Sequence, residues 1–428
     1  MMRADVLIVH AAQLVTCAGG GQPKRGAAMR DVCLIEDGAL AIRDGRILAV
    51  GKTAAIRADY AAETVISVAG KVVCPGLVDC HTHAVYGGNR LDEFEQRLQG
   101  VPYMQIMADG GGIASTARAT RAAAEDDLLT QAHARLDQMM QHGTTTAEIK
   151  TGYGLDTSTE LKLLNVIAAL DRQHPMTILP TFLGAHAVPW DYANAEQYLA
   201  AVIDDMLPAV ARSEAWRAFR AQGINGFIDV FCEQGVFDLE QARRVLLAGR
   251  DGYGMQVKAH VDEFVSLGGA AMACEIGAVS VDHLDVTPPH ALERLAQSNT
   301  VGVMLPAVNF NLGSTHFGNA RHLIEAGGSL ALATDLNPGS APTPSLPLVM
   351  AIACRYQKLL PSEALNACTI NAAAALNMAE RVGSLEVGKQ ADLIILNTDD
   401  YRALAYEFGS QLVEMVIIKG DAVWRRSA

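Results

Sequence analysis

The rhythm of apolar and polar positions changes twice along the 428 residues. Up to about residue 70 the apolar residues come in short runs broken by turn residues. Val6-Leu7-Ile8-Val9 reads as a strand, and Gly19-Gly20-Gly21 as a turn. Ala39 to Val50 reads as two short strands around Asp44-Gly45, a type I′ hairpin signal. Val65 to Val68 leads through Gly70-Lys71 into a further strand, VVCPGLVD. No helix is expected in this part. From Gly76 onward, helical periods alternate with short β-rich runs. Leu128, Leu129, Ala132, Leu136, Met139 and Met140 share one face of a helix over 125–142, stopped by Gly143. Thr157 and Glu160 suggest a capping box for the next helix, through Leu170. Strands are expected over 144–150, 177–186, 226–233, 255–260, 278–283, 301–305 and 329–335. After Arg381 the chain turns β-rich again, over 391–396 and 413–418, with a turn at Lys419-Gly420-Asp421.

With the strand that runs into His81, eight β-runs alternate with helices. That is the pattern of a (β/α)8 TIM-type barrel. The expected organisation is a catalytic barrel over residues 77–381, with an extra helical insertion near 194–220. Both chain ends, 1–76 and 382–428, would pair into a small composite β-sandwich domain. No internal repeat, low-complexity tract or linker interrupts this plan.

Composition narrows the class. Half the residues are hydrophobic and 19% are charged, as in ordinary globular proteins. A formal net charge of −13 argues against a nucleic-acid or anionic-membrane surface. Eight cysteines without a CxxC pair fit free thiols in a reducing compartment. No apolar run reaches 18 residues, so no transmembrane helix is expected. The apolar stretch Val6 to Val15 reads as a strand rather than a signal peptide, and the expected location is cytoplasmic.

The candidate chemistry lies at the strand ends. His81 and His83, spaced i, i+2, leave a strand on one side, next to Asp79. In such barrels the C-terminal strand ends carry the active site. His186, His260, His283 and Asp335 stand at the ends of the third, fifth, sixth and eighth expected strands. Several imidazoles with a carboxylate suit a divalent metal, and three imidazoles plus one carboxylate is a usual catalytic set.

VVCPGLVDCHTH, KAHVDE, VDHL, ATDLNPG and the tail GSLEVGKQADLIILN together resemble the amidohydrolase superfamily over nearly the whole chain. The resemblance implies metal ligation by His81, His83, His260 and Asp335. It also implies one divalent ion per subunit, zinc or iron. Two-metal members use a lysine at the end of strand four, where this chain has Phe231-Cys232-Glu233. KAHVDE places Glu263 where single-metal deaminases and cyclic amidases carry a proton-transfer carboxyl. His283 could orient the water or stabilise an oxyanion.

The loops HAVYGGNRLDEFEQRLQGVPYMQIMADGGGI, TGYGLDTSTELKLL, LGAHAVP and DLNPGSAPTPSLPLVM are similar to those of the imidazolonepropionase family. That resemblance implies opening of the ring of 4-imidazolone-5-propanoate to N-formimino-L-glutamate, a step of histidine degradation. Arg90 would clamp the substrate carboxylate. Tyr153, His186, Glu263, Asn337, Gly339 and Ser340 would contact the substrate or line its site. A homodimer is a further implication. Two other readings compete. A deaminase of the same superfamily would share the metal set but has no need of a carboxylate clamp. A non-catalytic barrel should lack ligands or the proton shuttle, and this chain carries both.

Overall fold

Asp44 and Gly45 take φ of 52° and 70°, the two left-handed residues that a type I′ turn requires. They join β2 (Leu34–Arg43) to β3 (Arg46–Lys52) as an antiparallel hairpin. The computed structural model describes residues 1–102, 105–106 and 109–427. Tyr103, Met104, Met107 and Ala108, part of the first loop motif, lie outside that set. The long strand β1 (Met2–Val15) pairs with β2 antiparallel and with β4 (Tyr60–Ser67) in parallel. One expectation fails here. Thr53–Asp59 forms a short helix, α1, whose Ile56 packs against Leu7 and Ala41. With a single fully buried apolar side chain over two turns, it offers no helical period to read.

The run VVCPGLVD is two strands rather than one. β5 (Val72–Pro75) joins β1, whereas β6 (Leu77–Asp79) pairs with β7 (Thr144–Lys150). The switch falls on Gly76, where a Cβ would stand 2.2 Å from Thr145 Oγ1. Only glycine leaves room there for the Thr145 side chain.

Between β6 and β7 run α2 (Leu91–Leu98), α3 (Ile113–Ala122) and α4 (Glu125–Gln141). α5 (Thr157–Gln173) follows β7. Its N-cap is Asp156, whose carboxylate accepts from the Thr159 amide at 2.8 Å. The capping box expected from Thr157 and Glu160 is therefore displaced. Asp156 stands one residue earlier in extended backbone and takes the role, which leaves the Glu160 carboxylate to turn back to the amides of Gly152, Gly154 and Leu155.

The next strand is β8 (Thr177–Ala185). The helical insertion then comprises α6 (Ala195–Ala201), a π-helical turn over Val202–Met206, α7 (Leu207–Arg212) and α8 (Glu214–Ala221). The barrel continues with β9 (Phe227–Cys232). The expected strand over 255–260 is interrupted, giving β10 (Gln256–Val257) and β11 (His260–Val261). β12 (Ser280–His283), β13 (Val301–Met304) and β14 (Leu330–Leu332) complete it. The order β6-β7-β8-β9-β11-β12-β13-β14 is parallel throughout. The two ends meet at the mouth. The Asp335 amide donates to the His81 carbonyl at 3.0 Å, and the His83 amide to that of Leu336 at 2.9 Å. Asp79 helps close this seam, accepting from the Thr334 amide at 3.1 Å and hydroxyl at 2.6 Å. Its carboxylate is thus spent on the barrel wall.

β15 (Leu393–Leu396), β16 (Val413–Ile418) and β17 (Asp421–Arg425) then return to β5, making one mixed sheet from both chain ends. Ile8, Leu40 and Ile47 from one limb share a buried cluster with Leu393, Ile395 and Ile417 from the other. Among the described residues no helix is long and apolar enough to cross a membrane, and all eight cysteines are free.

Candidate active site

The residues at the barrel mouth are held by strand ends that bend sharply. His283, Leu284, Asp262 and Asp335 take φ of 84°, 64°, 56° and 53°. Left-handed backbone costs a side-chain-bearing residue about 1–3 kcal/mol and gathers at functional sites. At β12 the bend has a clear geometric use. Alternation along a strand would send Asp282 and His283 to opposite sides. Asp282 faces the barrel interior, and the turn at His283 brings its ring back over the mouth, among the residues that line the cleft.

Three imidazoles and one carboxylate converge there. His83 and His260 place their Nε2 atoms 3.5 Å apart. Asp335 Oδ1 lies 3.4 Å from Nε2 of both His81 and His83. Ligand atoms of His81, His83 and His260 lie within 4.8 Å of one another, as do those of His81, His283 and Asp335, so either group could hold a metal ion. His81 Nε2 and Asp335 Oδ1 are buried without a hydrogen-bond partner among the described residues. Buried polar atoms are normally paired, so these orphans fit a cation. Burial holds the His81, His83 and His283 imidazoles well below their ordinary pKa, in the neutral state that ligation needs.

Beneath this set lies a layer that the sequence reading did not single out. The Asp282 carboxylate takes the His81 Nδ1–H at 2.7 Å. Asp229 Oδ2 stands 3.0 Å from His260 Nδ1, off the line of a straight hydrogen bond. A carboxylate behind Nδ1 fixes the tautomer and leaves Nε2 bare. Lys150 Nζ bridges Glu148 and Asp229, 2.8 Å from each. Lys258 Nζ donates to the Cys80 carbonyl at 2.7 Å and lies 3.3 Å from Glu148. All five charged side chains are fully buried. Burial alone would neutralise Asp229. His260 and Lys150 outweigh it and hold the carboxyl well below the usual carboxylate range. The signal available in sequence was charge at i, i+2 inside apolar strands, as in Glu148/Lys150 and Lys258/His260.

Glu263 follows the bend at Asp262. Its carboxylate oxygen is 3.7 Å from His283 Nδ1. Burial, with Asp335 and Asp285 close by, raises its pKa well above the ordinary value. Glu233, at the end of β9, accepts from the amides of Phe264 and Val265 at 2.9 and 3.0 Å. It fixes the loop that carries Glu263.

His83, Arg90, Tyr153, His186, His260, Glu263, His283, Asp335, Asn337 and Ser340 all line one cleft, with Ile113, Phe231 and Phe264 as its apolar wall. The His186 ring stacks on His83 with centroids 5.0 Å apart, and its Nδ1 meets the Gly152 carbonyl at 2.9 Å. Burial drives its pKa down to about 3. Tyr153 packs between His83, Tyr86 and His186. Asn337 spends its amide on the Asp335 carbonyl and the Ser340 hydroxyl, and its carbonyl on the Gly339 and Ser340 amides. It shapes the turn. Gly339 does not line the cleft, and its backbone passes directly against Arg90. A roomier cavity, about 700 Å³, lies around Thr398 to Glu407. It contains none of the mouth residues, so chemistry rather than size marks the site.

Comparison with known proteins agrees with this geometry. The model of the amidohydrolase family matches residues 251–423, and that of the bacterial imidazolonepropionase-like composite domain matches residues 38–62. The imidazolonepropionase of Chloroflexus aggregans is 54% identical over 99% of both chains. The chain belongs to the imidazolonepropionase family. Another member, from Herpetosiphon aurantiacus, is 49% identical over 99% of this chain and 98% of its own. Solved structures share the fold at lower identity. An adenosine deaminase from Xanthomonas campestris, with bound zinc, has a TM-score of 0.72 at 22% identity, covering 98% of this chain and 93% of its own. The guanine deaminase of E. coli has a TM-score of 0.74 at 16% identity, covering 98% and 99%. Family membership thus makes the chain an enzyme, an amidohydrolase acting on a small molecule.

Proposed function

We propose that the enzyme hydrolyses 4-imidazolone-5-propanoate to N-formimino-L-glutamate, as the family name implies. The observation that carries this reading is a single buried cleft. It brings His83, His260 and Asp335, whose orphaned Oδ1 lies 3.4 Å from the orphaned His81 Nε2, together with Glu263, His283 and a buried arginine. The donor set fits one divalent ion, zinc or iron, held by those four residues. Such an ion, when bound, supplies Lewis acidity and makes water a nucleophile at neutral pH. β9 ends without a lysine, and Lys150 is already spent on Glu148 and Asp229, which supports one ion rather than two.

The chain's own groups do the rest. Water adds to the ring carbonyl carbon, the ring C–N bond breaks, and one proton moves from the water to the leaving nitrogen. Glu263 is placed to take that proton and return it. His283 is placed to orient the water or to stabilise the negative oxygen. The neutral His186 and the Tyr153 ring position the heterocycle, while Arg90 takes the propionate in a bidentate pair. Ser340 and the Asn337 turn close the far wall. The same reading carries a homodimer, a cytoplasmic location and no role for nucleic acid or membrane.

The test is the loss of imidazolonepropionate, freshly generated from urocanate and followed by ultraviolet absorbance. The expected result is accelerated loss with formiminoglutamate as product, abolished in Asp335→Ala. Ammonia release from a neutral heterocycle, without activity on this substrate, would replace the reading with a deaminase.

A further inference from the structure

Arg90 is an unusual cation. It is only 7% exposed, yet its Nη2 has no hydrogen-bond partner among the described residues. A buried donor left unmade costs stability, so such a group is expected to meet a ligand. Its geometry is set by one side chain. Nε donates to the Thr116 hydroxyl at 2.8 Å. Thr116 lies on the buried face of α3, with Ile113, Ala117 and Thr120. That helix is tied to the first loop, because the Gly87 amide donates to the Thr120 hydroxyl at 3.0 Å. Thr116 is therefore a fixed anchor.

The opposite side of the guanidinium is the Gly339 backbone. A Cβ there would lie 2.1 Å from Nη1 and 2.8 Å from Cζ. No side chain fits, and the guanidinium lies against bare backbone. The Gly339 turn is itself held, its carbonyl accepting from Asn311 at 3.2 Å. Of the five donors of an arginine, the one on Nε is consumed by Thr116, Nη1 lies against the Gly339 backbone, and Nη2 has no partner among the described residues in a side chain that lines the cleft.

We propose that Thr116 and Gly339 are positioning residues that set the charge selectivity of this site. Thr116 stops rotation of the guanidinium, and Gly339 makes room for it, so that its Nη edge meets a carboxylate in two parallel hydrogen bonds. The inference rests on the reading of Arg90 as the clamp for an anionic substrate. Neither residue touches the reacting ring, so both act on binding of the acidic tail and not on the chemical step.

The experiment compares wild type with Thr116→Val, Thr116→Ser and Gly339→Ala. Binding of 3-(imidazol-4-yl)propionate and of its neutral amide is measured by calorimetry on the metal-loaded proteins, beside kcat and KM for imidazolonepropionate. Thr116→Val keeps the shape and removes the acceptor. It should weaken the carboxylate ligand about tenfold and raise KM by a similar factor, with kcat and amide binding unchanged. Thr116→Ser should restore wild-type values, and Gly339→Ala should repeat the selective loss. Equal weakening of acid and amide, a Ser variant as poor as Val, or no change in Thr116→Val would overturn the proposal. A wild type that binds the acid over the amide yet leaves imidazolonepropionate intact would instead overturn the functional reading, and the calorimetric arm would still decide the role of Thr116.

Discussion

Two clusters in this molecule contain the same residue types and do different things. At the barrel mouth, His81, His83 and His260 meet Asp335. On the outer wall, His133 and Asp137 of α4 meet His174, which caps the end of α5. Donor atoms lie within 4.8 Å of one another in His81, His83 and His260, in His81, His283 and Asp335, and in the outer three. In the outer cluster the carboxylate stands between the rings, Asp137 lying 3.2 Å from His133 Nδ1 and 3.3 Å from His174 Nε2. His174 Nδ1 accepts from the Met176 amide, so Nε2 carries the hydrogen that Asp137 receives. That cluster is closed on itself. At the mouth, Asp282 stands behind His81 and Asp229 behind His260, and the front atoms His81 Nε2 and Asp335 Oδ1 are left without a hydrogen-bond partner among the described residues. A histidine–carboxylate pair makes a ligand site only when the carboxylate is on the far side of the ring.

Several variants sharpen the contrast. The largest effect belongs to the front atoms: His260→Ala or Asp335→Ala should lose both bound metal and all measurable hydrolysis. Glu263→Gln should follow, lowering kcat by roughly 10²- to 10⁴-fold with KM little changed. Arg90→Ala should do the reverse, raising KM far more than it lowers kcat. Steady-state kinetics on the two proteins separates these roles, and equal effects on both parameters would refute the assignment. Asp282→Asn removes the charge behind His81 and should weaken metal binding by roughly 10- to 100-fold, read by competition with a chelator. His133→Ala should leave metal content and kcat as they are, since the outer cluster is a hydrogen-bonded bridge.

The smallest effect concerns pH. Burial lowers the pKa of His174 below its ordinary 6.5. The unfolded chain therefore binds more protons than the folded one just below pH 6.5, and stability contributed at this position falls on acidification. Denaturant unfolding of His174→Asn should show a flatter stability profile than wild type between pH 7.5 and 5.5. An unchanged slope would contradict that sign.

The barrel was legible because its strands are apolar runs with glycine or proline near their ends, and because the mouth residues stand at the C-terminal ends of such runs. His81, His83, His260 and Asp335 could be placed for that reason, although β11 is only two residues long. The boundary at Gly76 was legible as a change of pattern, but Val72 to Asp79 was read as one strand although Pro75-Gly76 divides it between two sheets. The supporting layer was harder still. Glu148, Lys150, Asp229 and Asp282 are charged residues within strands and Lys258 lies between β10 and β11, and a strand pattern reads them as facing water. Only the closed barrel reveals that they face one another. Gly339 was expected in the site wall from its loop, and only the fold shows that its backbone lies against the Arg90 guanidinium.

The most direct test of the account is metal content per subunit in wild type, His81→Ala and Asp137→Ala, by elemental analysis after exhaustive dialysis. The account predicts one zinc or iron in wild type, none in His81→Ala, and one in Asp137→Ala together with full activity. Metal that stays in His81→Ala and leaves with Asp137 would place the ion on the outer wall and contradict the account.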